Sequence, residues 1–272
     1  MLYRQNLHTH NHYCDGQGEL EDFVLAAING GLDTLGFSCH AYQYFSPKYT
    51  ISPEDTVCYK EEIRHLKEKY AGRIRLLAGL EVDMYARPDV SGLDYTIGSS
   101  HFMKIGEEFV EFDKKASVFR ELLEKYFAGD IWAFLRKYYE DISGIASHGK
   151  FDFVGHFDIV TRHCETEPFF DNTDKRYRDL ALEAVHAIAK DIPVFEVNVG
   201  CFAYGTRRTP YPEPFLVKEL KAIGGSVIIT NDAHSPDKLT GGLELGVEYV
   251  KSCGFEEVLV MTDTGFRGMK IG

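Results

Sequence analysis

The sequence predicts an α/β chain with a parallel sheet closed, or nearly closed, into a barrel. Two observations carry that prediction: short apolar segments alternate with helical patterns from end to end, and the alternation repeats often enough to close a sheet. The strand candidates are the segment near residue 7, then 32–38, 74–82, 93–100, 151–157, 193–199, 225–232 and 256–261. Between them, amphipathic helical patterns occupy 19–31, 61–72, 175–191, 214–225 and 242–254, several closing on Gly as helix C-termini do. This is a β–α order of seven or eight units, which favours a barrel over an open sheet. Residues 112–145 break the rhythm with an aromatic-rich helical stretch that has no strand of its own. It is expected to pack beside the barrel as an insertion; the alternative is a homodimer surface. No repeat, low-complexity tract or Pro-rich linker divides the chain, so 1–272 reads as one domain.

Composition excludes some partners. Thirty Lys plus Arg against 42 Asp plus Glu give a formal charge of −12, the wrong overall sign for a protein that wraps a phosphate backbone, so no nucleic-acid partner is expected. The six cysteines (14, 39, 58, 164, 201, 253) include no CxxC pair and read as reduced thiols in a cytoplasmic protein. No basic-then-apolar leader and no run of about 18 apolar residues is found, so neither export nor a membrane partner is expected.

In a parallel barrel the chemistry sits at the C-terminal ends of the strands. There the sequence places His8, His10 and Asp15, then His40, Glu81, His101, His156, Glu196 with Asn198, and finally Asp232 with His234. A lone histidine at a strand end is ordinarily structural. Imidazoles and carboxylates converging on one pocket without a cation, however, would suffer desolvation and repulsion. The mixture suits zinc, iron or manganese better than calcium or magnesium, and the nine ligand candidates His8, His10, Asp15, His40, Glu81, His101, His156, Asp232 and His234 exceed what one tetrahedral ion uses. Two or three ions are implied.

The stretches HTHNHYCDG, GFSCH, GLEVD, IGSSH, VGH and TNDAH, in this order from residue 8 to residue 234, resemble the successive motifs of the PHP (polymerase and histidinol phosphatase) superfamily. The length, with FEVNVG before the last motif, looks like its histidinol-phosphatase branch. The resemblance implies a distorted seven-stranded, TIM-like (β/α) barrel, the PHP fold, with three divalent metals and a small-molecule phosphate monoester bridging them. Carried over by position, His8, His10, Glu81 and Asp232 would hold the first metal; Glu81, His101 and His156 the second; Asp15, His40 and His234 the third. At the third site His12 competes with Asp15, and the Asp-Gly pair favours Asp15 through its turn.

The activity so implied is hydrolysis of L-histidinol phosphate to L-histidinol and phosphate, in histidine biosynthesis. A hydroxide bridging the first two metals, which Glu81 would also bridge, would attack phosphorus in line. Asp232 or His234 would protonate the leaving group. Arg162 and one of Arg207 and Arg208 would neutralise phosphate oxygens through their guanidinium forks. Asn198 and Glu196 would meet the substrate amine or brace ligands, and Tyr42, Tyr44, Phe45, Phe202 and Tyr204 form the expected rim. The competing readings are another PHP phosphoesterase acting on nucleotides, nucleic acid or phosphotyrosine, an amidohydrolase-like barrel, and a non-catalytic PHP module.

Overall fold

Seven parallel strands stand side by side in the computed structural model, which describes residues 3–272; residues 1 and 2 of the expected 1–272 span lie outside the described residues. The strands and helices run β1 (Gln5–Asn6), α1 (Leu20–Asn29), β2 (Thr34–Phe37), α2 (Pro53–Lys69), β3 (Arg75–Asp83), β4 (Tyr95–Ser99), β5 (Phe102–Ile105), β6 (Glu108–Glu111), α3 (Ala116–Phe127), α4 (Ile131–Ser143) and β7 (Phe153–Val154). They continue with α5 (Lys175–Ile188), β8 (Val194–Asn198), α6 (Gly200–Tyr204), α7 (Pro214–Ala222), β9 (Ser226–Thr230), α8 (Leu243–Ser252), β10 (Glu257–Thr262) and β11 (Gly265–Lys270). The parallel order is β1-β2-β3-β4-β7-β8-β9. Beyond the regular strands, Thr9 bridges Ala233 in parallel, with His10 N donating to Ala233 O at 2.8 Å, and this closes the ring at its C-terminal end.

The helices start where their sequences cap them. Ser52 precedes Pro53 at the head of α2 and accepts from Asp55 N at 2.9 Å, while Asp130 and Asp174 cap α4 and α5. In α4 the buried residues Phe134, Leu135, Tyr138, Tyr139 and Ile142 form one apolar stripe. The expected insertion does pack against the barrel: Tyr138 Oη donates to the Phe157 carbonyl at 2.5 Å. It is preceded by a feature the periodicity did not reveal, the antiparallel hairpin β5–β6.

Inside the barrel, alternate residues of each strand point to the axis. On β3 these are Leu77, Gly79 and Glu81; on β4, Tyr95, Ile97 and Ser99; on β8, Val194, Glu196 and Asn198. Leu7, Leu77, Tyr95, Ile97, Phe153, Val194, Ile228 and Met261 form a compact apolar cluster at the N-terminal end. Tyr95 crosses the axis and donates to the Leu7 carbonyl at 2.6 Å. A Cβ at Gly79 would lie 2.4 Å from the Tyr95 ring, and one at Gly36 equally near its hydroxyl, so both strands need glycine where the ring passes.

Segment 256–261 corrects the upper count of eight units. It is a strand, β10, but it pairs antiparallel with β11 rather than joining the ring, because Met261 and the partly buried Leu259 and Phe266 of this hairpin cover the apolar cluster at the N-terminal mouth. Among the described residues no helix is long and apolar enough to cross a membrane.

Candidate metal centre

The opposite mouth is polar. After β1 the chain stays extended, so His8 and His10 face the same side, and both are fully buried. His8 Nε2 lies 3.3 Å from Glu81 Oε2 and 3.4 Å from Asp232 Oδ1; His10 Nε2 lies 3.5 and 3.0 Å from the same two oxygens. These four atoms are buried and make no hydrogen bond. A tetrahedral ion with bonds of about 2.0–2.2 Å separates its ligands by about 3.3–3.6 Å, so four orphaned atoms at this spacing fit a divalent cation closely. Asp232 reaches the cluster from a left-handed backbone, φ 53°, a strained state tolerated best by short polar side chains.

The other ligand candidates gather around this group. Glu81 Oε1 lies 2.8 Å from His156 Nε2 and 3.5 Å from His101 Nε2. His10, Asp15, His40 and His234 form a further set with metal-ligand spacing; Asp15 Oδ2 is 3.5 Å from His234 Nε2 and Asp15 Oδ1 is 3.8 Å from His40 Nε2. Asp15 arrives there because Asn11 O accepts from both Cys14 N and Gly16 N, a turn so tight that a Cβ on Gly16 would strike the His10 carbonyl. His12 instead lies on the Tyr13 ring with Nδ1 3.3 Å from Glu19, outside the ligand groups. Sets with suitable spacing also join His40 to Glu81 and His101, so the ligands form one continuous cluster rather than three separate ones.

Charge and burial work against each other here. Burial pulls the His8 and His10 imidazoles towards the neutral form, but the surrounding carboxylates, Glu196 and Asp232 foremost, raise both well above the usual range. Burial also opposes ionisation of Glu81 and Asp232, and the imidazoles hold both carboxyls far below their ordinary values. His101, by contrast, is pushed down to about 4 by burial. Divalent cations at these atoms would satisfy carboxylates and neutral imidazoles together.

Glu196 braces two of the candidate ligands. Its Oε1 lies 2.5 Å from His8 Nδ1 and also accepts from Thr230 Oγ1, and its Oε2 accepts from His156 N at 2.6 Å. Fixing Nδ1 in this way presents Nε2 to a metal. Asp83, which the motif contains but the sequence reading left without a role, holds His101 by its backbone instead, accepting from its N at 2.8 Å.

A cavity of about 550 Å³ opens above the ligands, with Asn198, Tyr204 and Tyr211 in its wall. Asn198 is held by Gly200 N at 3.0 Å and by Glu196 at 3.3 Å. Arg162 lines the cavity and pairs with Asp113, a residue the sequence reading did not single out. Arg207 also lines it, clamped by Thr161 Oγ1 at 2.7 Å and Glu213 Oε1 at 2.8 Å with the Tyr211 ring beneath its guanidinium. Of the two arginines left open, Arg208 is exposed and absent from the cavity wall, with its backbone N and that of Thr209 tied to Glu165. Of the expected rim aromatics, Phe45 stacks on Phe109 with Tyr44 edge-on to both rings, and neither stands in the cavity wall. Tyr204 stands in the wall and its hydroxyl accepts from His234 N at 2.8 Å. Cys39 is buried away from the cavity, and Cys14 Sγ lies 3.6 Å from His10 Nδ1.

A cluster of candidate metal ligands at the C-terminal mouth of a seven-stranded barrel marks a class of metal-dependent hydrolase folds, and within it the chain belongs to the PHP domain family, which matches residues 6–200. A histidinol-phosphatase from Bacillus subtilis is 25% identical over 262 residues, covering 86% of this chain and 94% of its own. A histidinol phosphate phosphatase from Lactococcus lactis, solved with zinc, L-histidinol and phosphate, superposes with a TM-score of 0.76 at 21% identity, over 98% of this chain and all of its own. A solved chain from Listeria monocytogenes reaches a TM-score of 0.77 at 19% identity over 89% of this chain and 99% of its own. At these identities the structural likenesses establish the barrel.

Proposed function

We propose that this chain is a metal-dependent phosphate monoester hydrolase that converts L-histidinol phosphate to L-histidinol and phosphate, as a cytoplasmic enzyme of histidine biosynthesis. The observation that carries this reading is the group of four orphaned ligand atoms on His8, His10, Glu81 and Asp232, lying beneath a cavity that also holds two arginines. The curated relatives name the substrate.

Three divalent ions, drawn from zinc, iron and manganese, fit the donor set: His8, His10, Glu81 and Asp232 for the first, Glu81, His101 and His156 for the second, and Asp15, His40 and His234 for the third. Such ions acidify water and neutralise charge on a phosphoryl group. The chain's own residues do the rest. Arg162 and Arg207 direct their guanidinium groups at the non-bridging oxygens from the loops after the neighbouring strands β7 and β8. Asn198 closes the cavity wall, and its bonds to Glu196 and Gly200 leave it little freedom. The departing alkoxide must receive a proton. His234 Nδ1 lies 2.9 Å from the Asp232 carbonyl, so it is the donor there and Nε2 keeps its lone pair for a ligand role. Asp232 turns Oδ1 to the two imidazoles and leaves Oδ2 to take a proton from the attacking water and pass it to the leaving oxygen.

The test is phosphate release from L-histidinol phosphate by metal-replete protein, with a mononucleotide, a phosphotyrosine peptide and single-stranded DNA in parallel, each with a chelated control. High kcat/KM on L-histidinol phosphate alone, lost on chelation, is expected. Preference for another substrate moves the assignment within the family, and activity that survives metal removal overturns the mechanism.

A further inference from the structure

The cavity wall carries negative charge that the removal of a phosphate group does not require. Glu111 and Asp113, brought there by the end of β6, both face a space that must accept an anionic ester. Glu111 is neutralised locally, with Lys114 Nζ 2.5 Å from its Oε1. Asp113 has a single partner among the described residues, the Arg162 guanidinium, bonded through Oδ1. The segment itself is pinned, since His163 Nε2 lies 2.8 Å from the Lys114 carbonyl.

The two arginines differ in their freedom. Arg207 is 1% exposed in its side chain and held by Thr161, Glu213 and Tyr211; Arg162 is 47% exposed and, among the described residues, tied to Asp113 alone. When Arg162 turns to a phosphate oxygen, Asp113 loses the one cation bonded to it among the described residues, in a partly buried place, 19% exposed, where an unpaired carboxylate is costly. A cation brought by the substrate restores the balance.

We propose that Asp113 is a specificity-determining residue: it receives the positive charge of the substrate as Arg162 moves to the phosphate, and so selects phosphate esters of amino alcohols over those of neutral alcohols. The exchange replaces one ion pair by two and leaves no charge unpartnered. Burial opposes ionisation of the Asp113 carboxyl, and the paired Arg162 guanidinium lowers its pKa. The proposal rests on the phosphatase reading given above.

It is tested with metal-replete wild type, Asp113→Asn and Asp113→Glu, measuring kcat/KM on L-histidinol phosphate and on 4-nitrophenyl phosphate. The ratio of the two is expected to fall at least tenfold in D113N, mainly through KM for L-histidinol phosphate, and to recover in part in D113E. A parallel fall on both esters, leaving the ratio within twofold, means that Asp113 only positions Arg162 and overturns the proposal, as does no change on either. If the wild type releases no phosphate from L-histidinol phosphate, the functional reading fails instead. The ratio is then taken between O-phosphoethanolamine and glycerol 2-phosphate, where a D113N value within twofold of wild type overturns the role of Asp113 by itself.

Discussion

The two mouths of this barrel are built from the same strands and are opposites. At the N-terminal end, Leu77, Tyr95, Ile97, Phe153, Val194 and Ile228 fill the axis and the β10–β11 hairpin covers them. At the C-terminal end, two to four residues further along those same inward rows, stand Glu81, Ser99, Glu196, Asn198 and Thr230, followed by His101 and Asp232. One end satisfies its atoms with each other. The other leaves His8 Nε2, His10 Nε2, Glu81 Oε2 and Asp232 Oδ1 buried without a hydrogen bond. The sealed end supplies the stability that lets the open end keep unsatisfied groups aimed at a ligand.

Mutations should separate the two ends. The largest effect is expected at Glu81, which touches His8, His10, His101 and His156. Glu81→Gln should lower kcat/KM by more than about 10³-fold, equivalent to roughly 4 kcal/mol of transition-state stabilisation. It should also shrink the rise in Tm that added zinc produces, which calorimetry with and without zinc would measure. Next comes the bracing layer: Thr230→Val removes the hydroxyl that fixes Glu196, and so loosens His8. Metal affinity or activity should fall about 10- to 100-fold with little change in the stability of the metal-free protein. At the sealed end the expected pattern reverses. Gly79→Ala forces a methyl against the Tyr95 ring and should cost about 1–3 kcal/mol in denaturant unfolding, while metal content per folded chain stays that of the wild type. A loss of bound metal in that variant would break the comparison. The smallest effect is expected at Arg208, exposed and outside the cavity, where substitution by Ala should change kcat/KM by less than about twofold.

The same alternation explains what could be read in advance. Period two along a strand places Leu77, Gly79 and Glu81 on one face, so a ligand at a strand end follows from the apolar residues before it; His40, His101 and His156 are legible in the same way. Asp83 stands two residues beyond Glu81, and the same rule offered it a role. Asp113 was not legible. It depends on an antiparallel hairpin between β4 and the helical insertion, and nothing in its neighbours marks it as facing a cavity. Arg207 and Arg208 sit in a loop without periodicity, and only the contacts of Glu165, Thr161 and Glu213 decide which one turns inward. The strand at 256–261 was visible, but its partner GFRGMK has two glycines and two basic residues and reads as polar, so the covering hairpin had no clear signal beyond the Asp-Thr-Gly turn.

The central claim is that the polar mouth is a multinuclear metal centre. It is tested most directly by titrating metal-free protein with zinc or manganese while measuring bound metal per chain and phosphate release from L-histidinol phosphate in the same samples. The account predicts three ions per chain, with activity appearing as the His8, His10, Glu81 and Asp232 group and its neighbours fill. Saturation at a single ion, or full activity in protein shown to contain no metal, would contradict it.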